Sequence, residues 1–243
     1  MMHLAYYGGY GLGRGIYMMW DPTYILIIIG VVLSLIASAA VKSTFAKYSQ
    51  VRCSSGLTGA EAAQRILHYA GITDVAVVPI SGKLNDHYDP GKKTVSLSDS
   101  VYGKRTLSAV AVAAHECGHV IQHAKEYGPL TVRTAMVPVV NFSSGASWFI
   151  LLAGIFFSIH PLITLGIVLF SMAVLFQLVT LPVEFNASSR ALLILQQTGI
   201  LGPEEGKGAG KVLRAAALTY VAAAAASILQ LLRLILLFGK KRD

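Results

Sequence analysis

Two histidines four residues apart, with a glutamate directly after the first, stand in AVAAHECGHVIQHA at His115, Glu116 and His119. On a helix, positions i and i+4 share one face, so both imidazoles can grip a single metal ion. Imidazole nitrogen suits zinc, and a catalytic zinc keeps one coordination position for water. Glu116 is turned about 100° around the axis from His115. It flanks such a metal and is placed to take a proton from the water. Zinc held in this way lowers the pKa of its water and polarises a peptide carbonyl, which indicates amide hydrolysis.

The third ligand has to come from elsewhere in the chain. Glu184, in LPVEFNAS, is the only acidic residue between Glu126 and Glu204. A carboxylate in a region cleared of charge is costly unless something pairs with it. Pro182 suits the first turn of a helix, so a new helix is expected to open there and carry Glu184. The competing reading is an interfacial glutamate favoured by the dipole at that helix start.

Other residues have weaker chemistry. His123 extends the stripe of His119 by one turn, but no acid follows His119 to act as base, which suits a supporting contact. Cys117 points away from the two imidazoles and reads as a packed thiol. The loop Asn85-Asp86-His87-Tyr88-Asp89-Pro90 offers His87 or Tyr88 as donors to an oxyanion or as substrate contacts. A polar turn closed by Asp89-Pro90-Gly91 explains the same residues equally well. Arg190 lies off the ligand face of the Glu184 helix and receives no catalytic role.

The elements that hold these groups are mostly apolar. Of 243 residues, 54% are hydrophobic and 13% charged, with the apolar ones gathered in blocks, which excludes an ordinary soluble domain. The net charge of +8 forms no dense stripe and flanks the apolar blocks, so lipid headgroups are the expected partner and nucleic acid is not. Two cysteines cannot make a disulfide framework.

Residues 1–22, rich in Gly, Tyr and Met, read as a flexible arm. Tyr24–Val41 carries no charge and just reaches bilayer-spanning length, with Trp20 and Tyr24 at one end and Lys42 at the other, so 23–41 is a transmembrane helix. A cleaved signal peptide fits less well, because a basic n-region is nearly absent. From Pro138 to Val183 there is no Lys, Arg, Asp or Glu. One helix of that length would run about 65–70 Å, twice the hydrocarbon core, so the run must fold back. His160-Pro161 divides it into Phe142–Ile159 and Leu162–Leu181, a transmembrane hairpin within 138–182. Two crossings return Glu184 to the side that bears the histidines. Residues 215–238 are a fourth apolar helix, in which Arg233 lies near enough to the end to snorkel; 239–243 form a basic tail.

The polar segment 42–137 is expected to be a small α+β domain. Thr58 and Glu61 make a capping box for a helix over Gly59–Ala70, ended by Gly71. Asp74–Ile80 and Lys93–Ser98 read as a short strand pair joined by the loop Ser81–Lys92. The motif helix covers about 106–125. Residues 183–214 should hold the third-ligand helix and a glycine-rich loop, Gly199–Gly210.

HExxH followed well downstream by a helix with a ligand glutamate resembles the gluzincin metallopeptidases. EFNAS is similar to the E-x-x-x-D segment of the HtpX and CAAX-prenyl endopeptidases, with Ser188 standing where those enzymes have Asp and so a weaker outer partner. DPTYIL, VKSTFAKYS, GLTGAEAAQRIL, NDHYDPGKKTVSLS, AVAAHECGH and LPVEFNAS together resemble the YugP-type membrane neutral zinc metallopeptidases across most of the chain. The resemblance implies one catalytic zinc on His115, His119 and Glu184, with Glu116 as base.

The expected protein is therefore a mostly α integral membrane protein, with about four membrane helices and a gluzincin-like domain against the bilayer. It would cleave membrane-associated or misfolded polypeptides, in a bacterial cell membrane. Nine basic residues near span ends on the active-site side, against Arg14, Lys240, Lys241 and Arg242 opposite, favour a cytoplasmic site. A last helix lying in the interface would remove the conflict posed by the Lys-Lys-Arg tail. Two rivals are a site-2-type intramembrane protease and a non-catalytic zinc scaffold. Apolar spans without Asp argue against the first, and Glu116, unnecessary in a structural site, against the second.

Overall fold

The computed structural model describes residues 21–239; most of the N-terminal arm, with Arg14 and Trp20, and the tail from 240 lie outside them. The elements in chain order are α1 (Tyr24–Tyr48), α2 (Gly59–Tyr69), β1 (Ala76–Ile80), β2 (His87–Asp89), β3 (Thr94–Ser98), α3 (Leu107–Ala124), α4 (Gly128–Phe156), α5 (His160–Gln197) and α6 (Pro203–Phe238).

Four of these helices, α1, α4, α5 and α6, are long and apolar enough to cross a membrane. They expose many large apolar side chains, Phe142, Phe149 and Phe156 among them, as a lipid-facing bundle does. Helices α4 and α5 form an antiparallel hairpin that turns at 157–159, with Gly154 tight against Ile163. Small residues at such crossings let apolar helices approach closely. Helix α6 packs along both α5 and α1, so it belongs to the bundle and does not lie across its end. Arg233 pairs with Asp21 at 3.0 Å and lies 4.3 Å from the centre of the Tyr24 ring, tying α6 to the start of α1.

The polar domain sits on the ends of this bundle. Thr58 and Glu61 exchange capping hydrogen bonds of 3.1 and 2.7 Å at the start of α2. The sheet has three strands in the order β1-β3-β2, with β1 parallel and β2 antiparallel to β3. The strand pair expected from the sequence is present as β1 and β3. Residues His87–Asp89, expected in a loop, add the third strand, because Asp89 closes a turn by accepting from the Gly91 and Lys92 amides. Asp86 anchors the other end by accepting from the Ser98 amide at 2.7 Å. Central β3 buries Val95 and Leu97 against a core shared by α2, α3 and the polar ends of α5 and α6.

Two further expectations change. No new helix opens at Pro182, since α5 runs unbroken through it and carries Glu184 from the membrane into the domain. The glycines between 199 and 210 are mostly helical. The loop is short, and α6 begins at Pro203. A Cβ on Gly208 would lie 2.5 Å from Leu107 and 3.0 Å from Tyr48, so glycine there serves close packing and not a turn.

Candidate metal centre

Helix α3 positions both motif histidines. Thr106 caps it by accepting from the Ala109 amide, and the face bearing Ala109, Ala113, Cys117 and Val120 is buried in the domain core. His115 and His119 lie on the other side, towards α5. The two helices approach at Gly118, where a Cβ would stand 2.5 Å from the Ala187 carbonyl oxygen.

That approach brings Glu184 to the imidazoles. Its carboxylate is 2% exposed, and Oε2 lies 3.3 Å from Nε2 of His115 and 3.6 Å from Nε2 of His119. Oε2 is fully buried and has no hydrogen-bond partner among the described residues, although Oε1 accepts from Arg133 Nη1 at 3.4 Å. Ligand atoms bound tetrahedrally to zinc at ~2.0–2.1 Å stand about 3.3 Å apart, close to these spacings. The three candidate ligand atoms all fall within 4.8 Å of one another.

The tautomer of His119 follows from its neighbours. Gln122 Nε2 donates to the Val183 carbonyl at 2.8 Å, and a carbonyl can only accept. The Gln122 oxygen is therefore the atom 3.0 Å from Nδ1 of His119, and it must accept the Nδ1 proton. Nε2 is left with a lone pair aimed at Oε2. A lone pair facing a carboxylate oxygen is repulsive without a cation between them, so the donor set fits a divalent metal. Without one, burial works against the charged form of His119, but the adjacent Glu184 carboxylate and the charge of Glu116 outweigh it and raise its pKa.

Ser188 Oγ lies 3.2 Å from Nδ1 of His115, where it can fix that ring in turn. Asn186 accepts from Gln122 at 3.0 Å and from Arg190 Nε at 2.7 Å, so Arg190 braces the same network from outside. Glu116, beside His115, is nearly buried. Cys117 is fully buried; burial, then the Glu116 charge, push its thiol well above the ordinary range.

The remaining candidates lie at the rim. His123 accepts or donates with the Tyr88 hydroxyl at 3.1 Å, a contact that ties β2 to α3. His87 is exposed, with Nδ1 2.9 Å from the Asn85 carbonyl. Neither His87 nor Tyr88 has a described contact with His115, His119 or Glu184.

Four residues of this site escaped sequence reasoning. Gln122 and Asn186 had a usable signal, since Gln122 is three residues past His119 and Asn186 two past Glu184. Arg133 and Tyr220 had almost none. Tyr220 lies in the alanine-rich part of α6, where its side chain comes into reach of Glu184, Glu116 and Arg133.

The chain matches the family model described as "Putative neutral zinc metallopeptidase" over residues 23–239. It is 53% identical over 211 residues to the "Putative membrane protease YugP" of Bacillus subtilis (strain 168), covering 87% of this chain and 94% of that protein. No solved structure matches it. With a zinc-type donor set on a bundle of four apolar helices, this chain belongs to the neutral zinc metallopeptidase family and is a membrane zinc peptidase.

Proposed function

We propose that the protein is an endopeptidase that holds one catalytic zinc on His115 Nε2, His119 Nε2 and Glu184 Oε2. The observation that carries this reading is the buried, unpartnered Oε2 facing two imidazole nitrogens. Bound zinc would supply Lewis acidity to a water and to the scissile carbonyl.

The chain's own residues would do the rest. Gln122 and Ser188 hold the imidazole rings so that both Nε2 atoms face inward. Arg133 occupies one Glu184 oxygen and leaves the other free. Glu116 takes the proton from the attacking water and returns it to the leaving amine. The short strand β2 is an edge of the sheet, beside α3, and an extended substrate can add to it through its backbone. On that reading His87 and Tyr88 are substrate contacts.

Substrates are membrane-associated or misfolded polypeptides, and the site faces the cytoplasm of a bacterial cell, as the excess of basic residues on its side supports. A site-2-type protease finds less support, because α3 is not among the four apolar helices and the third candidate ligand is a glutamate.

The test is detergent-purified Glu116→Gln protein beside the wild type, with zinc content and peptide cleavage measured together. The expected result is unchanged zinc and a loss of about 10²–10⁴-fold in kcat. Full cleavage by the variant would refute the assigned base, and no cleavage by either protein would favour a scaffold.

A further inference from the structure

The heights of groups along the bundle follow from contacts between helices. Helices α1 and α6 run antiparallel, with Gly30 against Ala226 and Tyr48 against Gly208. That register sets Lys42 level with Arg214. Between α5 and α6, Gly206 meets Gln196 and Gly210 meets Leu192, which sets Leu218 level with Glu184. At 1.5 Å per residue, Arg214 and Lys42 then lie about 6 Å from the Glu184 level, on the side of the polar domain. Arg190, further along α5, lies about 9 Å from it in the same direction. Lys42 and Arg214 are exposed, and Arg190 half-buried.

On the other side of that level the four helices carry no Lys, Arg, Asp or Glu until Arg233 and its partner Asp21. Arg214 and Arg233 are about 28 Å apart along α6, close to the ~30 Å of a hydrocarbon core. The Glu184 level falls inside this interval. The outward side chains at that height include Val132 of α4, 51% exposed, Phe185 of α5, 46%, and Leu218 of α6, 48%, while Arg133 at the same level pairs with Glu184 at 3.4 Å. Large apolar side chains at that height suit lipid, and three cations one to two turns above suit anionic headgroups.

We propose that the candidate zinc site lies within the bilayer boundary, about 6–9 Å beneath a ring of Lys42, Arg190 and Arg214 that binds anionic lipid headgroups. The depth stands on this geometry alone. Its consequence for substrate rests on the peptidase reading: the bond cut lies where a polypeptide segment enters the membrane, not in a freely soluble loop.

Depth is read by nitroxide labels at Leu218→Cys and Val132→Cys, with Gln197→Cys and Lys207→Cys as sites above the ring. The full chain is placed in vesicles of phosphatidylglycerol and phosphatidylethanolamine; Cys53 and Cys117 are buried and out of reach of the label. The expected result is that collisions with oxygen exceed those with a water-soluble nickel chelate at 218 and 132, and the order reverses at 197 and 207. Nickel-dominated collisions at 218 and 132 would place the site above the membrane and overturn the proposal.

Substrate is read in the same vesicles with a single-span peptide, comparing wild type with Glu116→Gln and mapping new termini by mass spectrometry. Glu116-dependent cuts within about two helical turns of the peptide's apolar boundary are expected. Glu116-dependent cuts confined to a distant soluble tail would overturn the substrate half and leave the peptidase reading intact. Absence of any Glu116-dependent cut, in this or any soluble peptide, would remove the peptidase reading and the substrate half together, with the depth decided by the labels.

Discussion

Gly118 and Ala187 meet backbone to backbone, with only 2.5 Å between an added Cβ on Gly118 and the Ala187 carbonyl oxygen. This is the contact that lets the HExxH helix and the Glu184 helix bring the three candidate ligands together. Gly118→Ala must push α3 and α5 apart or strain both. The expected cost is ~1–3 kcal/mol of stability. Zinc occupancy should fall with it, read by thermal unfolding with and without zinc and by metal content of the folded fraction. A variant with wild-type unfolding temperature and full zinc would contradict the role assigned to this contact.

Gln122 is fully buried and joins His119 on α3 to Val183 and Asn186 on α5. Gln122→Ala removes the acceptor that fixes the His119 tautomer and the added hydrogen bond to the Val183 carbonyl. Zinc affinity is expected to drop about 10–100-fold. Competition against a chelator of known affinity measures this directly, and an unchanged zinc Kd would show that His119 needs no such support.

Ser188 offers His115 a neutral hydroxyl, at 3.2 Å, where a carboxylate would bind more strongly. Ser188→Ala should weaken zinc by about tenfold or less. Ser188→Asp should tighten it and at the same time destabilise the metal-free protein, by adding a negative charge one helical turn from Glu184. Chelator competition and unfolding in zinc-free buffer separate the two effects. Weaker zinc binding by Ser188→Asp would be the opposing result.

Cys117 sits inside the motif, yet its sulfur faces the core, 3.6 Å from the Ala63 carbonyl. Burial and the nearby Glu116 charge both disfavour its thiolate. Folded protein should resist alkylation by N-ethylmaleimide at Cys117 under conditions that label it fully after denaturation. Rapid labelling of the folded chain would place the thiol in an open position and contradict its packing in the core.

The parts of this site that were legible in the sequence rest on local periodicity. The i, i+4 spacing of His115 and His119 puts both rings on one face whatever surrounds the helix. Glu184 was reachable through topology, because two crossings must bring the chain back. Strand β2 was not, since three residues have no readable period and become a strand only by pairing with β3. Pro182 misled because proline lacks the N–H that an interior helical position donates; here the surrounding packing of α5 outweighs that loss. The glycines at 206, 208 and 210 read as a loop by composition, yet all three are helical, and Gly206 and Gly208 lie close against Gln196 and Leu107 from other elements. Arg133 and Tyr220 reach Glu184 from two other helices, and packing across a bundle leaves no local mark on either residue.

Everything proposed for this site depends on Glu184 as the third ligand. Metal content and peptide cleavage of detergent-purified wild-type and Glu184→Ala proteins, measured on the same preparations, test it most directly. One tightly held zinc per wild-type chain is expected, with loss of both zinc and cleavage in a variant that stays folded. A folded Glu184→Ala protein that keeps zinc at full occupancy would contradict it and move the third ligand elsewhere.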